Sequence, residues 1–328
     1  MYYNKKTLYY SNYAFAGGDF TAYLFGHFRE LLTPDGEQIY FGVSKDGFNW
    51  EQLNGGRPVL TSNIGEKGMR DIEIAKLKNG SFVIVTTDLC IARRWNEKYE
   101  VDWKDCNHNG SKKLILWKSG DLIHFDGPRF IDFSQENYGC MWAPEITYVE
   151  EDDEYLLHWG STVETDGFNH MSIYCCKTKD FETFSKPEIF FTKECEILDS
   201  HLVKTGGAYH LFYKNCNPAM NMHETAPTAY GPFTHDYEFD AFMESLGNPG
   251  AYEGGTSYIL PDGRWCVLFD FFGCEKEKMG YVPFVSAKPG NAHIKMCKEE
   301  FSFPYGFKHG GVIEITDEEY DRLKEYYR

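Results

Sequence analysis

Four carboxylates, each at the start of an apolar segment, are the residues of this sequence best placed to do chemistry. Asp71, Glu145, Asp199 and Glu253 each open a strand-like segment that continues into a polar turn and a second strand. The first aromatic residue of that second strand follows the acid by 11, 10, 10 and 12 residues (Phe82, Tyr155, Tyr209, Trp265). An isolated acid at a strand start is ordinarily a solvated residue. Four acids at one position of a repeat predict a shared site.

The chemistry available to such a site follows from charge repulsion. Clustered carboxylates disfavour one another's ionised form, so at least one should keep its proton. A protonated carboxyl beside an ionised one is the equipment of glycoside hydrolysis, an acid for the leaving oxygen and a base for water. The residues therefore predict a glycosidase, with solvated bystander acids as the competing interpretation.

The spacing of the acids predicts the elements that carry them. They are 74, 54 and 54 residues apart, and His309 follows Glu253 by 56. A period near 54 with three or four strands per repeat is typical of propeller blades. Four complete repeats leave segments 21–28 and 39–44 to supply the middle and outer strands of a fifth, with 309–316 as its inner strand.

We therefore predict an all-β fold, a five-bladed β-propeller closed by the N- and C-terminal strands. Closure of this kind removes a free sheet edge. A capped helix is predicted over 316–327, and the polar insertion 92–113 is predicted to be a loop over the site. The composition does not shift along the chain, which favours a single domain over residues 1–328.

Charge and composition exclude several classes of function. Lys+Arg 33 against Asp+Glu 50 gives a net charge of −17, which would repel phosphate backbones and anionic lipid. We therefore expect neither nucleic acid nor a membrane as a partner. No apolar h-region is visible near the start, and adjacent Cys175 and Cys176 favour reduced thiols. A cytoplasmic location is expected, and the oligomeric state is left open.

Six segments together resemble glycoside hydrolase family 43, whose members are five-bladed propellers that cleave arabinofuranosides, xylosides and related linkages with inversion. They are "IYFGVSKDGFNW" (39–50), "GMRDIEI" (68–74), "MWAPEI" (141–146), "ILDSHL" (197–202), "AYEGG" (251–255) and "HGGVIEITDEEYDRL" (309–323). Each segment alone is a weak signal, whereas their order and spacing are specific.

The resemblance implies a role for each acid. Asp71 falls on the general base, Glu253 on the general acid, and Asp199 on the residue that tunes the pKa of the acid. Ile72 and Gly255 stand where the family usually has proline, which changes the backbone that aims the acids. The residues expected to bind substrate are Glu145, Trp142, Tyr252 and Arg70. For the two aromatics, ordinary packing is an equal alternative.

Blade order predicts how these groups interact. Asp199 and Glu253 begin consecutive blades, so ionised Asp199 should raise the pKa of Glu253. Asp71 lies two blades from Glu253, which favours the roughly 6.5–9.5 Å separation of an inverting enzyme. His309 could hold a cation such as Ca²⁺ on the axis through water, or be a structural histidine. No cofactor is expected to be required.

The main functional hypothesis is an exo-acting, inverting α-L-arabinofuranosidase that acts on short oligosaccharides. A β-xylosidase or another pentosidase or galactosidase of the same family is the next. A carbohydrate-binding propeller with weak catalysis is the alternative from another class. A sialidase-like propeller is suggested by "SKDGFNW" (44–50), but that box occurs once and no arginine cluster accompanies it.

Overall fold

The computed structural model describes residues 20–29, 33–94, 102–246, 252–272, 280–287, 290, 294–304 and 306–328. In these segments the protein is built mainly of antiparallel strands, with few helices. The all-β prediction is confirmed. None of the helices in the described segments is long and apolar enough to cross a membrane.

The strands fall into four-stranded units. The first has β1 (Phe20–Phe28), β2 (Tyr40–Ser44), β3 (Glu51–Gln52) and β20 (Lys308–Thr316). The second has β4 (Arg70–Lys76), β5 (Phe82–Thr87), β6 (Lys113–Ser119) and β7 (Phe125–Asp132). The third has β8 (Trp142–Val149), β9 (Glu154–Ser161), β10 (Ser172–Thr178) and β11 (Glu188–Phe191). The fourth has β12 (Ile197–Thr205), β13 (Ala208–Cys216), β14 (Ala219–Ala226) and β15 (Thr234–His235). The last has β16 (Tyr252–Ile259), β17 (Trp265–Phe271), β18 (Gly280–Ser286) and β19 (Ile294–Met296).

One strand of each unit, here called the inner strand, contacts the inner strands of other units. The inner strands are β20, β4, β8, β12 and β16; each contacts the next in this order, and β16 contacts β20. A single parallel pair, Gly310 with Ile72, joins the first two units into one eight-stranded sheet. The predicted pairing of the two chain ends is confirmed, because β1 runs antiparallel to β20.

The apolar core lies between neighbouring units rather than within one of them. Each of the five large clusters of buried side chains combines residues from two adjacent units. Ile74 of β4 packs in the same cluster as Leu24 of β1, and Val85 of β5 in the same cluster as Leu157 of β9. Burial of these faces therefore fixes each unit against its neighbours.

One type of tight turn occurs in three units. In each copy a Ser or Thr hydroxyl and the Asp two residues later accept hydrogen bonds from backbone N–H groups, as these side chains often do in short polar turns. The hydroxyl oxygen accepts a hydrogen bond of 2.8–2.9 Å from the N–H of the third residue after it. The aspartate accepts from the next two N–H groups (Ser44/Asp46, Ser119/Asp121, Thr178/Asp180). The "SKDGFNW" segment is thus one copy of a structural turn.

Helices lie at both expected and unexpected places. The C-terminal helix α4 (Asp317–Tyr326) is confirmed, and Thr316 and Glu319 form a capping box at its start. The insertion predicted as a loop carries α1 (Ile91–Arg94) and α2 (Trp103–Asn109), and its residues 95–101 lie outside the described segments. Helix α3 (Tyr237–Ser245), which precedes β16, was not predicted.

Candidate active site

Four inner strands share a backbone irregularity at the end where the acids lie. Each shifts register against its second strand within a four-residue stretch, as β-bulges do. The second residue of each stretch has a positive φ (Asp71 51°, Ala143 48°, Asp199 56°, Gly254 55°). The bulge turns the neighbouring side chains toward the contacts between the inner strands, so it decides which residues form the site.

Asp71 is fixed by two strands. Thr87 Oγ1, on β5, donates a hydrogen bond to Asp71 Oδ2 at 2.7 Å and accepts one from the Ala143 N–H of β8 at 2.9 Å. Burial raises the pKa of Asp71, but the hydrogen bond and charge of His309 outweigh it and hold the pKa well below its usual range. Asp71 is therefore an ionised, oriented carboxylate.

His309 lies between the strands that carry Asp71 and Glu253. Its Nδ1 is 3.3 Å from Asp71 Oδ1, and its ring covers Gly254, where a Cβ atom would come within 2.6 Å of the ring carbons. Burial lowers the pKa of His309, yet Asp71 and the other acids raise it to about 9. The imidazole is thus protonated near neutral pH.

Lys214, at the end of β13, stands between two acids. Its Nζ is 2.7 Å from Asp199 Oδ2 and 2.5 Å from Glu253 Oε2. Burial raises the pKa of Glu253, but Lys214 and Lys308 outweigh it and hold that pKa below its usual range. Burial raises the pKa of Asp199. The Lys214 ammonium therefore lies between the two carboxyl groups, and its charge reverses the rise in the pKa of Glu253 that the blade order predicts.

A second buried ion pair supports the site from β17 and β20. Lys308 Nζ is 2.8 Å from Asp270 Oδ1, and the His309 N–H donates to Asp270 Oδ2 at 3.2 Å. Asp270 lies opposite Glu253 in the β16–β17 ladder. Burial raises the pKa of Asp270 to about 6 against the opposing effect of Lys308.

The supporting residues were missed at the level of sequence, although a signal existed. Thr87, Lys214 and Asp270 all lie opposite the first residue of a bulge, at the end of a second strand. They follow Asp71, Asp199 and Glu253 by 16, 15 and 17 residues. A polar residue recurring at this distance is what the repeat could have revealed.

Glu145 does not share the register position of Asp71 and Asp199, and its role in substrate binding stays a prediction. It lies two residues beyond the bulge position of β8, equivalent to Glu73 on β4 rather than to Asp71. Its carboxylate is buried and lies 2.9 and 3.0 Å from His201 Nδ1, while His201 Nε2 is 2.9 Å from Ser257 Oγ. Burial raises the pKa of Glu145 well above its usual value.

Arg70 and Tyr252 also have structural partners. Arg70 Nη1 is 2.9 Å from Glu37 Oε1, and its guanidinium covers the Phe28 ring at 4.4 Å. Tyr252 is 5% exposed, and its ring packs against Phe271 at 5.0 Å. Of the two alternatives for Tyr252, this geometry favours ordinary packing, and its role in substrate binding stays a prediction.

The indole of Trp142 contacts a second, more exposed indole. Trp142 is 9% exposed and makes an edge contact at 5.9 Å with Trp103, which is 49% exposed on α2 of the insertion. Trp142 also packs in one cluster with Leu198, the residue before Asp199. Trp103, which the sequence reasoning missed, is the more exposed of the two indoles, and the role of Trp142 in substrate binding stays a prediction.

His309 is the residue predicted either to hold a cation through water or to be a structural histidine. Its Nδ1 faces Asp71, and a protonated imidazole has no lone pair for direct coordination of a metal. Over the described ranges, no group of three or more His, Cys, Asp and Glu side chains could hold a metal ion. A cation on the axis, held by His309 through water, stays a prediction.

Comparison with known proteins identifies the family. Residues 18–321 match the model of the family 43-related group described as "Probable glycosyl hydrolase domain". The chain belongs to this family. It is a glycoside hydrolase of the family 43 type, as the resemblance predicted.

Individual relatives agree with this assignment. Over 207 residues the hydrolase is 25% identical to an α-L-arabinofuranosidase of Bifidobacterium longum subsp. longum, and this match covers 57% of the hydrolase and 19% of that protein. An exo-1,5-α-L-arabinanase from a bovine ruminal metagenomic library has TM-score 0.54 at 15% identity, over 82% of the hydrolase and 90% of that chain. The endo-arabinase of Bacteroides thetaiotaomicron has TM-score 0.51 at 14% identity, over 75% and 94%. The structural matches establish a shared fold.

The contact between Gly254 and His309 yields a first prediction. In Gly254→Ala the new methyl would meet the imidazole ring, so His309 should move from Asp71 and its pKa should fall from about 9 toward the ordinary 6.5. The titration of ¹³C-labelled histidine Cε1 by NMR measures this. Gly263→Ala is the matched control, since Gly263 also has a positive φ but no atom within 4 Å of a Cβ. An unchanged His309 titration in Gly254→Ala would contradict the packing.

Proposed function

We propose that this hydrolase is an exo-acting, inverting α-L-arabinofuranosidase that acts on short oligosaccharides. The observation that carries the proposal is that Asp71 and Glu253 lie on the two inner strands flanking β20, with His309 between them. A group interposed between two carboxyls favours the wider separation, roughly 6.5–9.5 Å, that admits a water molecule. The name of the Bifidobacterium longum relative supports the choice of sugar.

In this proposal Asp71 is the general base. Its carboxylate is ionised and held by Thr87 and His309, so it can take a proton from a water molecule placed toward the sugar. His309 stabilises the charge before the reaction. General base catalysis requires an acceptor already deprotonated at the working pH, which this pairing supplies.

Glu253 is the proposed general acid, and Asp199 tunes it. Glu253 is the most accessible of the acids in contact with Lys214, with 23% of its side chain exposed against 5% for Asp199. It can therefore meet the glycosidic oxygen, while buried Asp199 acts through Lys214. The ammonium makes Asp199 an indirect modulator rather than a direct one.

The same proposal includes a five-bladed propeller whose ring is closed by β1 and β20. Support comes from the cyclic contacts of the inner strands and from apolar clusters between each pair of neighbouring units. The predicted single domain fits this arrangement, because each unit buries its faces against two others. In a propeller the inner strands line the axis, which places the acids at one mouth of it.

Replacement of the acid separates substrates by their leaving group. Glu253→Gln should reduce turnover of natural arabino-oligosaccharides by about 10²–10⁴-fold, because the leaving oxygen then departs unprotonated. Dinitrophenyl arabinofuranoside, whose leaving group needs no proton, should lose less than about tenfold by the same reasoning. Initial rates on both substrates test this. Equal losses would contradict the assignment of Glu253.

Replacement of the base should not discriminate in this way. Asp71→Asn should reduce both substrates by about 10²–10⁴-fold, because water must still lose a proton. In Asp71→Ala, azide should restore activity and give a product of inverted configuration, read by NMR. A covalent glycosyl-enzyme on Asp71 would instead establish a retaining mechanism and end this proposal.

The exposed indole of α2 should contribute to substrate binding. Trp103→Ala should raise KM by about two- to tenfold with little change in kcat, the range expected for loss of one aromatic contact. Trp103→Phe should keep most of the affinity. Tyr326→Ala is the control, because Tyr326 is 59% exposed on the C-terminal helix. Equal KM values for Trp103→Ala and the control would exclude Trp103 from the binding site.

A further inference from the structure

Lys214 is the least expected residue of the site. It lies opposite Leu198 of β12 and Asn221 of β14, and only 12% of its side chain is exposed. Its Nζ reaches Asp199 Oδ2 at 2.7 Å and Glu253 Oε2 at 2.5 Å. One buried ammonium is thus shared by two carboxylates from neighbouring units.

This arrangement conflicts with the work of a general acid. A cation within hydrogen-bond distance favours the ionised form of a carboxyl group. Lys214 therefore keeps Glu253 without the proton that it must give to a leaving oxygen. For Glu253 to act, the ammonium must leave it during the catalytic cycle.

Asn221 offers the ammonium a second position. Directly opposite residues of antiparallel strands point to the same face, with Cβ atoms roughly 4.5–5.5 Å apart. Asn221 is 1% exposed, and neither its Oδ1 nor its Nδ2 makes a hydrogen bond with a described residue. A buried amide without partners is costly. The cross-strand register brings its oxygen, an acceptor, to the same face of the sheet as the Lys214 side chain.

We propose that Lys214 is a positioning residue that keeps Glu253 ionised in the free enzyme and moves toward Asn221 when a sugar binds. A hydroxyl of the bound sugar takes the place of the ammonium beside Glu253. Glu253 then takes a proton from solvent and gives it to the glycosidic oxygen as the bond from that oxygen to the anomeric carbon breaks. The water oxygen, which loses a proton to Asp71, bonds to the same carbon from the opposite face. Asp71 releases to solvent the proton it took from water, and Lys214 returns. The inference rests on the proposed role of Glu253.

Other charged groups also act on Glu253 and must be held constant in any test. They belong to the strands packed around β16 and either repel or attract its carboxylate (Asp199 on β12, Asp270 on β17, Lys308 and His309 on β20). Lys308 is paired with Asp270 and His309 with Asp71. Substitution at position 214 leaves these pairs in place.

The test compares Lys214→Met, which keeps the length and loses the charge, with Lys214→Arg, which keeps the charge. The titration of ¹³C-labelled glutamate carboxyls in the free protein reports Glu253, assigned by its loss in Glu253→Gln. We expect the Glu253 titration to move upward by one pH unit or more in Lys214→Met and to stay within half a unit in Lys214→Arg. An unmoved titration in Lys214→Met overturns the inference whatever the activity.

Kinetics then test the movement of the ammonium. The pH profile of kcat/KM reports the free enzyme, and that of kcat reports the substrate complex. In Lys214→Met the alkaline limb of kcat/KM should move to higher pH, while that of kcat should change little because substrate has already displaced the ammonium. Limbs that move together would show that Lys214 stays on Glu253 during turnover.

Asn221→Leu gives a second route should Lys214→Met fail to fold. Without the amide acceptor, Lys214 should remain on Glu253 in the complex, so the alkaline limb of kcat should move to lower pH while that of kcat/KM is kept. An unmoved kcat limb overturns the role of Asn221. If the Glu253 titration shifts in Lys214→Met but neither pH profile follows it, the ion pair is established and Glu253 is not the general acid. This outcome separates failure of the proposed function from failure of the inference about Lys214.

Discussion

Pairing of buried charges is the constraint on which this site depends. An ionised carboxylate inside a protein is costly unless a cation or several hydrogen-bond donors compensate it. Each acid of the site has such a partner on a different strand (Asp71 with His309, Asp199 and Glu253 with Lys214, Asp270 with Lys308). Because the partners come from other strands, the site exists only when the inner strands and their neighbours are brought together.

The bulges orient the side chains of the inner strands, and contacts within the site compensate the backbone strain of the bulges. Positive φ values are unfavourable for residues with a Cβ atom, and such strain persists only where surrounding structure fixes it. Asp71 is fixed by Thr87, whose hydroxyl is in turn held by the backbone of Ala143, another residue with positive φ. At Gly254 the absence of a Cβ leaves room for the His309 ring. The β-bulges therefore both orient the acids and leave room for His309, the cation that pairs with Asp71.

The sequence repeat predicted much of the fold, because its apolar segments are the strands that each unit buries. It located the inner strands, the pairing of the chain ends and the acids Asp71, Asp199 and Glu253. It placed Glu145 wrongly, because a bulge inserts a residue and alternation cannot show where. It missed Lys214: a polar residue recurs at that position of the second strand, but the recurrence does not show that an ion pair joins β13 to β16. It also could not tell that the Tyr252 ring packs on Phe271. Local periodicity specifies strands, whereas long-range pairing specifies the site.

The buried layer below the acids limits what the site can bind. Burial and the nearby Glu145 raise the pKa of Glu73, burial raises that of Glu145, and burial lowers the pKa of His201 to about 3. Burial thus disfavours the charged form of each of these groups, and the ion pairs lie in the layer above. There the three cations His309, Lys214 and Lys308 lie beside the carboxyl groups of Asp71, Asp199, Glu253 and Asp270. Among the described residues of the site, each of these three cations already lies beside a carboxyl group and is not free to pair with the carboxylate of an acidic sugar. This pairing supports the proposal of an uncharged sugar as the substrate, because its hydroxyl groups can exchange hydrogen bonds with charges already in place.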